Sequence, residues 1–116
     1  MFEVAFSDQS MGELNSLPIM KQMAIVEEIS SLTANQLLDP QEPLGAFRRD
    51  GRALYRLRAG EYRIYFELKE SILFTHYILH KNTFNDFAVR NKLPLNSDML
   101  SEHDASFWSY LSSVGK

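Results

Sequence analysis

Between Arg52 and His80 the sequence divides into three runs that are each the right length for a β-strand. In "RALYRLR" and "YRIYFEL" every second residue is apolar, the period of a strand with one face against a core. "ILFTHYILH" is apolar on both faces, as a strand at the centre of a sheet is. Ala59-Gly60-Glu61 separates the first two runs as a tight turn, where glycine takes the positive φ such turns need. "LKES" separates the second from the third. Three consecutive strands joined by turns fold as an antiparallel meander, and whatever precedes them must cover one of its faces.

The preceding residues suit that task. "FEVAF" alternates Phe2, Val4 and Phe6 with smaller or charged residues and reads as a first strand. Asp8 or Ser10 can cap a short helix running through Leu14 and Leu17, and Pro18 fits the first turn of the next one. From Ile19 to Leu32, Met23, Ile25, Val26, Ile29 and Leu32 form an apolar stripe at helical spacing, expected to pack on the sheet. "ANQLLDPQEPLGAF", with two prolines and a glycine, reads as a surface connection. After the meander, "SEHDASFWSYLSSVGK" reads as a C-terminal helix with an aromatic face, opened by Ser101. The expectation is one α+β domain over residues 1–116: an N-terminal strand, two helices, a three-stranded antiparallel meander and a C-terminal helix. Its core spans about 1–90 and an extension about 91–116.

Charge is unevenly placed. Seven basic residues and three acidic ones lie between Gly45 and Lys69, a window of +4 in a chain whose net charge is -3. A local positive field in an acidic protein points to an anionic partner. Alternation sets Arg52, Arg56 and Arg58 on one face of their strand, and Arg63, Tyr65 and Glu67 on the same side of the next. Guanidinium groups on a rigid sheet can clamp phosphate through paired hydrogen bonds, and Tyr65 offers a plane on which a base can stack. The bland alternative, arginines on a solvated sheet face, remains open here. Cysteine is absent, which removes disulfides and thiolate chemistry. His76 and His80 fall on one predicted face but roughly 13 Å apart, too far to share an ion unaided, so no metal or cofactor is expected. No apolar run approaches a membrane span, no secretory signal is present at the N-terminus, and a cytoplasmic location is expected.

"LYRLRAGEYRIYF" followed by "ILFTHYILHK" resembles the RelE/ParE toxin superfamily, whose members carry a Y-R-L-R-x-G-x-Y-R strand pair and then an apolar strand ending at a basic residue. The resemblance covers about residues 1–90. For RelE-like members it implies the toxin of a type II toxin–antitoxin system: a ribosome-dependent, metal-independent mRNA endoribonuclease that represses translation. The ribose 2′-hydroxyl is the nucleophile there, and a cognate antitoxin neutralises the enzyme. Carried over by position, Arg63 matches the arginine of the second hairpin strand, Arg56 and Arg58 match the basic positions before it, and Lys81 stands at a catalytic arginine's place. The family's C-terminal tyrosine falls near Phe84 or Phe87, which can stack a base but cannot exchange a proton, and His80 lies close by where some branches use histidine. Arg52, Tyr65, Phe84 and Phe87 are the expected substrate contacts. The implied partners are an antitoxin, the ribosome and mRNA. The aromatic C-terminal segment is a candidate for self-association or for docking another protein. Two further readings stay open: a RelE-fold interaction module without nuclease activity, and a ParE-like gyrase inhibitor.

Overall fold

The computed structural model describes residues 2–49 and 51–83. Five strands, β1 (Glu3–Phe6), β2 (Leu44–Arg49), β3 (Arg52–Ala59), β4 (Tyr62–Lys69) and β5 (Ile72–His80), form one sheet in the order β1-β5-β4-β3-β2. From β2 to β5 each strand is antiparallel to the next, and β1 joins β5 in parallel. Helices α1 (Asp8–Asn15), α2 (Ile19–Ser30) and α3 (Ala34–Leu38) lie between β1 and β2 in sequence, and residues 81–83 are helical. The architecture is α+β. The expected C-terminal helix and extension, with Phe84 and Phe87, lie outside the described residues.

One face of the sheet meets the helices. Leu57, Ile64, Phe66, Leu73 and Ile78 interlock there with Leu14, Ile25, Ile29, Leu32 and Leu37. Each large aliphatic or aromatic side chain removed from water in this way contributes about 1.5–3 kcal/mol. Period-two alternation puts Leu57, Ile64 and Phe66 on that face, and helical spacing puts Ile25 and Ile29 opposite them.

Several expectations change. The stretch read as a connection holds a short helix and a strand: Thr33 and Gln36 form a reciprocal capping box that starts α3. Leu44 to Arg49 then pairs along β3, so the meander has four strands. Ser7 caps α1, not Asp8 or Ser10, and its hydroxyl accepts from Ser10 N–H. Met23 is exposed, so the stripe on α2 is only partly core. Leu68, expected to be buried, is exposed near the end of its strand.

The start of α1 is bolted to β5. Ser7 Oγ donates to the His76 carbonyl at 2.6 Å, and Ser10 Oγ to the Thr75 carbonyl at 3.0 Å. The parallel ladder of β1 stops at Phe6 opposite Thr75. Beyond it the Gln9 side-chain amide stands in for a peptide group: Nε2 donates to Ile78 O at 3.2 Å and Oε1 accepts from Ile78 N–H at 3.1 Å.

Candidate functional site: the arginine face of the sheet

The face away from the helices carries the arginines. In register across the sheet, Gly45 of β2 lies opposite Arg56 of β3, which lies opposite Tyr65 of β4, which lies opposite Tyr77 of β5. Arg58 lies opposite Arg63, one step nearer the β3–β4 turn. Arg56 is only 4% exposed, its guanidinium lying over Gly45. A Cβ at position 45 would stand 2.4 Å from Nη2, so the missing side chain there provides the slot.

A carboxylate joins this group from the loop before β2. Glu42 Oε1 lies 3.5 Å from Arg56 Nη2, and Oε2 lies 3.1 Å from Arg58 Nη1. Glu42 is itself 63% exposed. Two guanidiniums converging on one pair of oxygens is the arrangement that binds a phosphodiester, and Glu42 holds it as an internal anion. Glu42 belongs to no pattern along the chain, because its arginines lie fourteen and sixteen residues downstream.

Other expected site residues fall elsewhere. Arg63 folds back over the turn, with Nη1 donating to Gly60 O and Tyr62 O, both at 3.1 Å. Gly60 itself has φ +62°, as a tight turn there requires. His80 is not on the arginine face. The β4–β5 pairing slips between Tyr65 and Phe66, and that irregularity breaks alternation along β5. His76 reaches Glu67 on the arginine side, whereas His80 packs edge-on against Tyr62, which lies on the helix side. Lys81 Nζ sits 3.6 Å and His80 Nε2 3.2 Å from the Glu61 carboxylate. The hydrogen bond from His80 and the charge of Lys81 hold that carboxyl below its ordinary pKa.

Tyr65 was expected to offer a ring to a base; it is 1% exposed and meets Phe47 edge-on at 5.9 Å. Arg52 belongs to a second cluster, about 13 Å along β3 from Arg56. It pairs with Glu67, which is buried and also bonded to His76 Nε2 at 2.8 Å. Burial pushes the Glu67 carboxyl up, but the hydrogen bonds from His76 and Arg52 outweigh it and leave the pKa lowered. Among the described residues, no three His, Asp or Glu side chains gather as metal ligands, and no helix is long and apolar enough to cross a membrane.

With this geometry established, comparison with known proteins bears on the fold. No protein-family model matches the chain, and no curated protein matches it. Solved structures do. The archaeal RelE–RelB complex from Pyrococcus horikoshii OT3 contains a chain that superposes with a TM-score of 0.56 at 20% identity, covering 68% of this chain and 93% of that one. The toxin–antitoxin complex RelBE2 from Mycobacterium tuberculosis gives 0.51 at 20% identity, covering 68% and 96%. The fold is RelE-like. The superposed share of this chain is close to the share that carries the hairpin motif and the sheet.

Proposed function

We propose that this chain is the toxin of a toxin–antitoxin pair, a RelE-like endoribonuclease that cuts mRNA on the ribosome in the cytoplasm and is neutralised by a cognate antitoxin. The observation that carries the reading is the convergence of Arg56 and Arg58 on one carboxylate, with Arg63 opposite Arg58. The RelE-like fold and the antitoxin-bound state of the similar structures support it. In the reaction, Arg56 and Arg58 hold the scissile phosphate, and Arg63 turns from the carbonyls of Gly60 and Tyr62 to join them. Glu42, displaced from between the arginines by the entering phosphate, takes the proton of the 2′-hydroxyl, whose oxygen attacks phosphorus as the bond to the 5′-oxygen breaks. The leaving oxygen takes a proton from solvent, and the products end in a 2′,3′-cyclic phosphate and a 5′-hydroxyl. Charge grows on the phosphoryl oxygens in the transition state, which is where fixed guanidiniums act most strongly. Lys81 adds positive charge at the same end of the sheet.

Ribosome-dependent cleavage of a reporter mRNA tests this, with Arg63→Ala expected to cut roughly 100-fold more slowly. Absence of cutting together with absence of growth arrest on expression overturns it. A second reading, a RelE-fold interaction module without nuclease activity, is favoured by the burial of Tyr65, which removes the expected stacking surface. Stable co-purification with a partner other than a small antitoxin, without RNA cleavage, would support that reading. Inhibition of DNA supercoiling would point instead to a gyrase poison.

A further inference from the structure

A second carboxylate on the arginine face gathers cations as Glu42 does. Glu67 of β4 meets Arg52 Nη2 of β3 and, at 2.8 Å, His76 Nε2 of β5, both on the same oxygen, Oε1. Lys69 Nζ lies 3.6 Å from that oxygen as well. The ammonium also stands 4.8 Å from the centre of the Phe74 ring, and that ring meets the His76 ring edge-on.

The cluster carries more positive charge than its carboxylate neutralises. Arg52 and Lys69 face one anion, and among the described residues no other acidic side chain reaches either of them or His76. The anion lies beneath and the cations above it: the Glu67 side chain is 11% exposed, against 55% for Arg52 and 53% for Lys69. Among the described residues Arg52 bonds through Nη2 alone, which leaves the donors of Nη1 and Nε to solvent or a ligand. Glu67 thus fixes the bases from below, and their outward donors suit a phosphate, which a guanidinium binds through paired hydrogen bonds.

Spacing decides what kind of phosphate fits. Arg52 and Arg56 share a strand and a face but lie about 13 Å apart, so one phosphate cannot touch both clusters. A chain of phosphates can, since the gap corresponds to about four nucleotides at ~3.4 Å per stacked nucleotide.

We propose that Arg52, Lys69 and His76 form a second phosphate-binding site, which takes a backbone phosphate of the same single-stranded RNA that Arg56 and Arg58 hold. Its role is to fix where the strand lies on the sheet, because phosphate contacts position a nucleic acid without reading its sequence. This rests on the reading that the arginine face binds RNA, and not on cleavage.

Fluorescence anisotropy with a labelled oligouridylate of about ten nucleotides, long enough to span both clusters, tests it in the full chain. Arg52→Gln/Lys69→Gln should bind roughly fivefold more weakly. Its dependence of log affinity on log salt should be shallower by about 0.7, the value of one phosphate contact. Lys69→Gln alone leaves the Arg52–Glu67 pair intact and should lose part of the affinity. Lys21→Glu, on α2 and across the sheet from the cluster, changes net charge as much as the double variant and should bind as the unmodified protein does. Unchanged binding by the double variant overturns the second site and leaves the proposed function standing. An equal loss in Lys21→Glu also overturns it, assigning the effect to net charge. Failure of the unmodified protein to bind RNA overturns both. In the unmodified protein the His76 ring resonances, assigned by their loss in His76→Gln, should shift as RNA is added, and resonances that stay fixed overturn the site whatever the variants do.

Discussion

Replacing Glu42 with glutamine keeps the side chain's size and removes the charge lying between Arg56 and Arg58. The carboxylate makes one contact of 3.5 Å and one of 3.1 Å, and it is 63% exposed. Each contact therefore carries the value of a solvent-screened pair, about 0.2–1 kcal/mol, and the two together about 1 kcal/mol. A phosphate entering the site no longer has to displace that anion, so single-stranded RNA should bind Glu42→Gln roughly fivefold more tightly. The gain should shrink as salt screens the site, over a Debye length of about 10 Å at 0.1 M. If one more phosphate is neutralised, the dependence of log affinity on log salt steepens by about 0.7. Fluorescence anisotropy of a labelled RNA at several salt concentrations measures both quantities. Cleavage should move the other way, with kcat falling while binding tightens, because the amide cannot accept the 2′-hydroxyl proton. Unchanged or weaker RNA binding at every salt concentration would refute the idea that Glu42 occupies the phosphate position.

Three further outcomes follow from the packing. Gln9→Ala removes both bonds to the backbone of fully buried Ile78 and should cost roughly 2–4 kcal/mol, seen as a lower urea midpoint at unchanged slope; an unchanged midpoint would mean that the clip contributes nothing. Thr75 is fully buried, and its hydroxyl has no partner among the described residues. Thr75→Val should therefore stabilise the protein by about 1 kcal/mol and raise Tm by roughly 4–8 °C, measured by thermal unfolding. Because the folded-state pKa of Glu67 is lowered, its ion pairs contribute fully above the unfolded carboxylate value of about 4.3 and are lost as pH falls through the lower folded value. His76→Gln should move that acid loss to higher pH, and coincident curves of urea midpoint against pH would contradict it.

The central strands were legible because alternation is a local signal, and the sequences of β3 and β4 carry it without interruption. The pattern assigned Arg56 and Tyr65 to the same face, and that placement holds. It could not tell what lies over a face, so Tyr65 read as available although it is buried. In β2, glycine at position 45 and two terminal arginines obscure the alternation of Leu44 and Phe47. The reason for the glycine is an arginine in the neighbouring strand. His76 and His80 read as sharing a face, and they do not, because one irregularity in the β4–β5 ladder reverses every later side chain and no residue in "ILFTHYILH" announces it. Glu42 was invisible for a related reason: a carboxylate in a loop acquires its role from partners that only the folded chain brings near. Met23 obeys helical spacing, but the stripe on α2 is wider than the surface the sheet offers it.

The parallel pairing of β1 with β5 also fixes an order of events. Ser7 and its partner His76 are 69 residues apart, so the first strand made must wait for the last one described. At synthesis rates of about 5–20 residues per second, that wait lasts roughly 3–14 s. During it β1 has no ladder, α1 has nothing to bolt onto, and the far edge of the growing sheet is open. Contacts this distant also slow folding once the chain is free. A nascent chain interrupted before residue 80 would hold the hairpin with its arginines but not the closed sheet that makes them rigid. The fold thus delays its own completion until almost all of the described sequence has emerged.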